Sequence, residues 1–333
     1  DRVDLSGIRG KTVLITGACG FIGSYLMKMF GYLDICEVCG IDNFISGKES
    51  SIADTALSAR LRFYNLDIAS EFALIRIKAD YVLHAASIAA PMFYKRHPLE
   101  TLRANVLGTW NVLEWAVKTK PVSVVHFSSS EVYGDPAQVP TGESYWGHTS
   151  FTGPRSCYDE SKRLSETLCA TYYRQYGVPV KIVRPFNVYG PGARLDDGRV
   201  IPNLMNALLR HEVFTIYGDG SDTRSYCYIS DAVGQILAVL LDGVEGEAYN
   251  VGFDMEISLN DLGRLAQSKF NGMPTVEYIN AAEARQDAPK RRRPDISKVL
   301  KIAPRPVYDL RSGLERTLKT RWLDLDPVKR IRK

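Results

Sequence analysis

The sequence predicts an α/β fold: a doubly wound parallel sheet covered by helices on both faces, with a smaller mixed α/β lobe attached. Three observations carry this prediction. Short apolar runs alternate with helical stretches through the first half of the chain. Those runs are continuously apolar, as in strands buried on both faces. After about Tyr189 the rhythm breaks, and Gly and Pro become frequent. In order, Thr12 to Thr16 (TVLIT) reads as the first strand and Gly20 to Phe30 as the helix that follows. Val38 to Asp42, Leu61 to Asn65 and Tyr81 to His84 read as strands two to four. Pro98 to Lys118 carries Leu102, Val106, Leu113 and Val117 at helical spacing. Val122 to Ser128 is the fifth strand, Ser156 to Tyr176 a helix, and Val180 to Pro185 the sixth strand. Beyond these, helices at Ile201 to Arg210, Ser230 to Asp242 and Ser258 to Gln267 sit between loops, and Ala248 to Val251 is expected to return to the sheet. The expected division is residues 1–186, with the sheet rejoined by about 230–252, and a smaller lobe over 187–333.

The bulk composition narrows the function classes. A chain of 333 residues, 45% hydrophobic, can form one large domain or two smaller ones with a real core. A net charge of +4 is weak evidence for nucleic acid and suits an anionic small molecule equally well, so no nucleic-acid partner is expected. Cys36 and Cys39 form a C-x-x-C, but no second pair or His cluster completes a metal site. All six cysteines therefore read as free packing thiols of a reducing compartment. No apolar run reaches the ~18 residues of a membrane helix and no signal-peptide pattern opens the chain, so a cytoplasmic protein without a membrane partner is expected.

The first strand runs directly into Thr16-Gly17-Ala18-Cys19-Gly20-Phe21-Ile22-Gly23. Gly17, Gly20 and Gly23 would supply a tight turn, close backbone approach to a pyrophosphate and close helix–strand packing, with the helix N-terminus facing the phosphates. A glycine pattern alone is weak. Here it follows a strand, opens a helix and precedes an acid, Asp42, at the end of strand two, which marks a Rossmann-type dinucleotide site. Asp42 would accept hydrogen bonds from a ribose 2′-OH and repel a 2′-phosphate, which favours NAD over NADP. Asp67 after strand three is a candidate adenine contact, or equally a capping residue. Phe21, Ile22, Asn43, Ile68 and Ala85 complete the expected cofactor set.

Strand five ends in Ser128-Ser129-Ser130-Glu131-Val132-Tyr133-Gly134, where side chains of a parallel sheet face the ligand crevice. Farther on, Tyr158 and Lys162 stand at i and i+4 on one helix face. A neighbouring ammonium favours phenolate over phenol, which would make Tyr158 a general base. A lone Y-x-x-x-K means little. After a dinucleotide loop and a Ser/Glu strand end it is a strong signal.

With these motifs the chain resembles the extended short-chain dehydrogenase/reductases that act on sugar nucleotides, the NAD-dependent epimerase/dehydratase family. It is most similar there to the UDP-glucuronate decarboxylases. The resemblance spans roughly Gly10 to Leu318 and rests on SSSEVYGDP (Ser128 to Pro136), GPRSCYDESKR ending at Arg163, and RPFNVYGPG (from Arg184) with DGRV (ending at Val200). IYGDGSDTRSYCYISD (Ile216 to Asp231) and QDAPKRRRPDISK (Gln286 to Lys298) add to it. The resemblance implies that Arg292, two residues before Pro294, enters the active site; by itself the basic tract would read as a solvated loop. It implies further that Asn187 and Arg224 contact the diphosphate, that Tyr217 packs on a uracil or thymine ring, and that Tyr94 and Val200 touch substrate. It also implies a homodimer through a four-helix interface formed by the helices around Pro98 to Lys118 and Ser156 to Tyr176. The sequence departs from the decarboxylase pattern at Ser87 to Tyr94 (SIAAPMFY, where relatives carry SPASPPNY-like residues), at Gly192 in place of Arg, and at Asp222 in place of Gln.

The mechanism so implied uses Tyr158, tuned by Lys162, to deprotonate the sugar 4-OH while NAD+ takes hydride from C4 and Ser129 holds the same oxygen. The 4-ketone then permits loss of the C6 carboxylate as CO2. Arg292 and Glu131 would flank C5, orienting the carboxylate and handling the returning proton. The alternatives are a 4,6-dehydratase, in which Glu131 takes the C5 proton, a 4-epimerase, or an NAD-binding regulator on the same frame.

Overall fold

The structure, a computed structural model, describes residues 3–33, 35–52, 60–70, 72, 76–280 and 289–325. The first half supplies β1 (Thr12–Thr16), α1 (Phe21–Leu33), β2 (Glu37–Asp42), β3 (Leu61–Asn65), β4 (Tyr81–His84), α2 (Pro91–Tyr94), α3 (Pro98–Arg103), α4 (Thr109–Thr119), β5 (Ser123–Phe127), α5 (Ser156–Tyr176) and β6 (Val180–Pro185). There follow β7 (Val188–Tyr189), α6 (Val200–Arg210), β8 (Phe214–Tyr217), β9 (Thr223–Ser225), β10 (Cys227–Tyr228), α7 (Ile229–Asp242) and β11 (Ala248–Val251). The chain continues through β12 (Glu256–Ser258), α8 (Leu259–Lys269), β13 (Val276–Ile279), β14 (Arg291–Arg292) and α9 (Leu310–Leu325).

Seven strands form one parallel sheet in the order β3-β2-β1-β4-β5-β6-β11. The order reverses between β1 and β4, so the loops after these strands diverge and open a crevice at their carboxyl ends. Both faces of the sheet are covered. Leu26, Met27 and Phe30 of α1 and Ile236 and Leu240 of α7 bury one face, in a core that continues into α6 through Leu204 and Leu208. Val112, Leu113 and Trp115 of α4 and Cys169 and Tyr172 of α5 bury the other. Each such side chain contributes roughly 1.5–3 kcal/mol relative to exposure. The expected return of Ala248 to Val251 is seen as β11 beside β6. Among the described residues no helix is long and apolar enough to cross a membrane. The six cysteines are outside disulfides, and five of them are buried.

Two histidines are buried side by side inside the sheet, and among the described residues His126 Nδ1 has no hydrogen-bond partner. The rings of His84 and His126 lie 5.3 Å apart. His84 bonds Thr16 Oγ1 at 2.7 Å and Thr109 Oγ1 at 3.1 Å, and His126 bonds Ser165 Oγ at 2.8 Å. Burial, reinforced by Lys162, pushes His84 down to about 3, so it stays neutral.

One feature differs from the sequence expectation. The stretch from Pro98 is not one uniform α-helix, because a π-helical turn over Ala104–Gly108 separates α3 from α4. Asn105 is fully buried there, accepting from Ser87 Oγ at 2.7 Å and donating to Ser161 Oγ at 2.8 Å. Gly108 lies so close to Ile68 that a Cβ would sit 2.5 Å from its Cδ1. Such bulges recur where a local contact outweighs regular pitch. The basic tract is not the solvated loop that it would read as by itself. It forms β14, which pairs in parallel with β9, while β12 pairs with the other edge of β9. Gln286 to Ala288 of that motif and the Lys/Arg-rich last residues lie outside the described residues.

Candidate active site

The dinucleotide loop is built as the glycine spacing requires. Gly17 has φ +72°, and a Cβ there would lie 2.7 Å from the Ala85 backbone after β4. A Cβ on Gly23 would come within 2.0 Å of the Gly17 carbonyl oxygen, so only glycine lets α1 start this close to β1. Asp42 closes the loop from β2. Its carboxylate accepts from the Cys19 N–H at 2.8 Å and the Phe44 N–H at 2.9 Å. Burial raises its pKa, and these backbone bonds oppose the rise. A small cavity of about 60 Å³ brings Asp42 and Asn43 together with Asp67 and Ile68. Asp67 accepts from the Ala69 N–H at 2.8 Å in a local turn. A cradle that any Cβ would fill, beside a fixed acid, fits the pyrophosphate and ribose of a dinucleotide.

This loop opens into a larger cleft of about 340 Å³. From the loop, Gly17, Gly20, Phe21, Ile22 and Gly23 line it, and Ala85 joins them from β4. Ser129 and Glu131 enter from the end of β5, and Tyr158 and Lys162 from α5. From the second half come Asn187, Val200, Arg224 and Arg292, and from α2 comes Tyr94. Tyr217 is not among them; it ends β8 at 45% exposure, with its ring open to solvent.

Tyr158 is buried, and Ser129 beside its hydroxyl favours the phenolate against the desolvation. Tyr94 stacks on its ring at 5.3 Å with planes 11° apart, so Tyr94 acts first as a wall for Tyr158. The Lys162 ammonium donates to the Phe127 carbonyl at 2.6 Å and stands 6.0 Å from the Tyr158 ring centre. Burial pushes Lys162 down to about 7 and Tyr158 up to about 12. The expectation that Lys162 alone would favour the phenolate is thus corrected for the free protein: both groups are desolvated, and desolvation disfavours both charged forms.

Glu131 sits at the other end of the pocket under two guanidiniums. Arg292 grips its carboxylate with both nitrogens, at 2.6 and 2.8 Å. Arg155 pairs with the same carboxylate. Burial alone would raise the Glu131 pKa, but Arg292, Arg155 and Arg224 outweigh it and hold the carboxyl below its usual range. Asp159, next to Arg155, is pushed up to about 7 by burial and by Glu131. Arg224 is half-buried, donating to the Thr223 and Lys290 carbonyls, and desolvation and Arg292 push it down to about 10. Asn187 donates to the Ser225 carbonyl at 3.2 Å.

Sequence reasoning missed three arginines of this cleft. Arg155 lies one helical turn before Tyr158, a spacing that could have placed it on the same face. Arg199, donating from Nε and Nη2 to Asp197 Oδ2, precedes Val200 and acts electrostatically on Tyr158. Arg194, two residues after the departing Gly192, stacks 4.5 Å over Phe93 and reaches the Ser46 carbonyl across the cleft. No local signal announced Arg194.

A parallel sheet of this order, with a glycine cradle, an acid ending β2 and a Ser–Tyr–Lys set at the crevice, defines a dinucleotide-dependent enzyme of the short-chain dehydrogenase type. The chain belongs to the NAD dependent epimerase/dehydratase family, whose model matches residues 13–252, and its cofactor is NAD. It is 37% identical over 309 residues to UDP-glucuronic acid decarboxylase 1 of Xenopus tropicalis, covering 92% of this chain and 71% of that one. It is 38% identical over 303 residues to UDP-glucuronic acid decarboxylase 3 of Arabidopsis thaliana, covering 91% and 86%. Among solved structures, the UDP-glucuronic acid 4-epimerase of Bacillus cereus, in complex with UDP-glucuronic acid and NAD, superposes with a TM-score of 0.81 at 28% identity, covering 92% and 98%. The dTDP-glucose 4,6-dehydratase DesIV of Streptomyces venezuelae, with NAD bound, gives 0.83 at 29%, covering 95% and 97%.

Proposed function

We propose that the protein decarboxylates a nucleoside-diphosphate glucuronate, of the UDP-glucuronate type, through a 4-keto sugar. The observation that carries this reading is the pairing of Glu131 with Arg292 and Arg155 in the cleft that holds Tyr158 and Ser129. A 4,6-dehydratase needs Glu131 as a base for the C5 proton. A carboxylate held below its normal pKa by two guanidiniums is a weak base, whereas the guanidiniums suit an anionic sugar. The decarboxylase relatives carry the same reading across most of the chain.

Gly17, Gly20, Gly23 and Asp42 would hold NAD+, which would supply a reversible hydride acceptor for the sugar C4. Tyr158 takes the proton of the C4 hydroxyl, and Ser129 holds the same oxygen. The C4 ketone stands beta to the C6 carboxylate, so the electron pair released with CO2 passes to the C4 oxygen, which Tyr158 and Ser129 stabilise. Arg292 orients the carboxylate before it leaves. One proton enters at C5, and the reaction balances as glucuronate and a proton going to pentose and CO2. Asn187 and Arg224 hold the diphosphate in this reading, with residues 1–186 carrying NAD and the lobe over 187–333 the nucleotide sugar.

We further infer that the protein works as a homodimer and resides in the cytoplasm. Leu99, Leu102, Leu107 and Trp110 on α3 to α4, and Leu164, Tyr173 and Tyr176 on α5, are exposed apolar residues on the two helices expected to pair. The free thiols agree with a reducing compartment.

The test is a mass-spectrometric screen of purified protein with NAD against UDP-glucuronate, UDP-glucose and dTDP-glucose. Loss of CO2 from UDP-glucuronate supports the reading. Loss of water from a hexose, or an unchanged mass with altered retention, replaces it with dehydration or epimerisation.

A further inference from the structure

Asn250 lies in β11, at the edge of the large sheet, and is fully buried. A buried amide is costly unless its polar atoms are paired. Here each of them is. Its Oδ1 accepts from the Tyr133 hydroxyl at 2.8 Å, and its Nδ2 donates to the carbonyls of Thr141 at 2.9 Å and Asp295 at 3.0 Å. Its backbone N–H donates to Glu143 Oε1 at 2.8 Å.

Three chain segments therefore meet on one amide, and two of them carry groups of the cleft. Tyr133 ends the short 3-10 turn Ser130–Tyr133 that presents Glu131. Asp295 follows β14, which presents Arg292. Thr141 brackets the exit of β14: its N–H donates to the Arg293 carbonyl at 2.9 Å, and its carbonyl accepts from the Asp295 N–H at 2.9 Å. Pro294 between them has no N–H to add. On the other side, Arg184 donates to the Tyr133 hydroxyl at 2.7 Å and to both oxygens of Glu166 on α5, at 2.8 and 2.6 Å. A buried polar network whose members are satisfied fixes one geometry. Tyr133, Thr141 and Asn250 are not on the cleft wall, so the amide reaches the site only through the residues it holds.

We propose that Asn250 is a positioning residue for the decarboxylation step: it sets Arg292 against Glu131 by tying the strand that carries one to the turn that carries the other. The inference rests on the reading in which Arg292 orients a sugar carboxylate. Without the amide the two side chains still attract, but the backbones from which they reach are no longer held together, and the guanidinium loses its aim. The oxidation at C4 is insulated from this change. Lys162 donates to the Phe127 carbonyl at 2.6 Å and Ser128 Oγ to Glu166, so α5 is held on β5 by bonds that do not pass through Asn250.

The experiment follows single turnovers of UDP-glucuronate on the NAD-loaded protein, reading NADH absorbance and CO2 release together. Asn250→Ala should slow CO2 release by about 3- to 30-fold, the range of one or two uncharged hydrogen bonds, while oxidation stays within about twofold of the parent. The ratio of the two steps within one turnover does not depend on the fraction folded, so a merely structural role would not move it. Adding Arg292→Ala to Asn250→Ala should slow CO2 release no more than about twofold beyond Arg292→Ala alone, because residues that act through one another do not add. Hydrogen exchange at Thr141 and Asp295 should speed up in Asn250→Ala. Should Asn250→Ala not fold, Tyr133→Phe removes only a hydroxyl from the same network and should shift the ratio in the same direction by less. A ratio like the parent's, losses that multiply in the double variant, or unchanged exchange overturns the role of Asn250 while leaving the decarboxylase reading intact. A parent that releases no CO2 from UDP-glucuronate overturns that reading and this inference with it.

Discussion

At the residue scale the chemistry depends on Tyr158. Its phenol is buried beside Ser129, backed by the Tyr94 ring and pushed up by burial to about 12. At neutral pH the free protein therefore holds a phenol, and positive charge brought nearby favours loss of its proton. Replacing Tyr158 by Phe removes the proton acceptor and little volume. The turnover number should fall by about 100- to 10,000-fold while the NAD dissociation constant stays unchanged. Fluorescence titration of NAD and steady-state turnover measure the two quantities, and a turnover like the parent's would remove Tyr158 from the base role. The Tyr158 and Lys162 pair was legible because i, i+4 spacing on a helix is a local geometric fact. The arrival of Ser129 from another element, and the desolvation that sets both pKa values, are not written at that spacing.

At the element scale the basic tract shows how secondary structure sorts adjacent identical residues. On a strand, successive side chains point to opposite faces. In β14, Arg291 is thereby exposed and bonds Glu256 at 2.7 and 3.0 Å, while Arg292 is buried on Glu131. Arg293 lies just beyond and donates to the Asp254 carbonyl at 2.8 Å. Arg292→Ala should slow decarboxylation by about 10- to 100-fold, the value of one or two charge-assisted hydrogen bonds. Oxidation at C4 should suffer less, so enzyme-bound NADH should accumulate in single-turnover absorbance. Arg291→Ala removes an exposed pair worth roughly 0–1 kcal/mol and should leave turnover within about twofold of the parent. Equal behaviour of the two variants would refute a special place for Arg292. The α3 to α4 stretch shows the opposite case: helical spacing predicted a helix from Pro98, but the π turn at Ala104–Gly108 follows from contacts of Asn105 and Gly108 with Ser87, Ser161 and Ile68.

At the scale of the whole molecule, the crevice lies where the sheet order reverses, and the second half of the chain closes over it with Asn187, Val200, Arg224 and Arg292. The exposed apolar residues of α3 to α5 lie on the helices proposed to pair. Trp110 is 46% exposed on α4, and Trp110→Glu places a charge that a paired interface would have to bury. Sedimentation at micromolar concentration should then show a parent dimer and a largely monomeric variant. A parent that sediments as a monomer would remove the dimer from the proposal.

The sequence by itself determined the seven strands of the sheet, the glycine cradle with Asp42, and the Ser129, Tyr158 and Lys162 set. Each is a local pattern: continuous apolar runs, a loop that only glycine can adopt, a helix face, or a strand end. Tertiary structure alone decided that β9 takes β14 as a partner and so turns Arg292 toward Glu131, 161 residues away in sequence. It also brought Arg155 and Arg194 into the cleft and left Tyr217 outside it. The physical reason is that period and spacing record which way a side chain points from its own element, whereas what it meets there depends on strands and loops that pair only when the chain is folded.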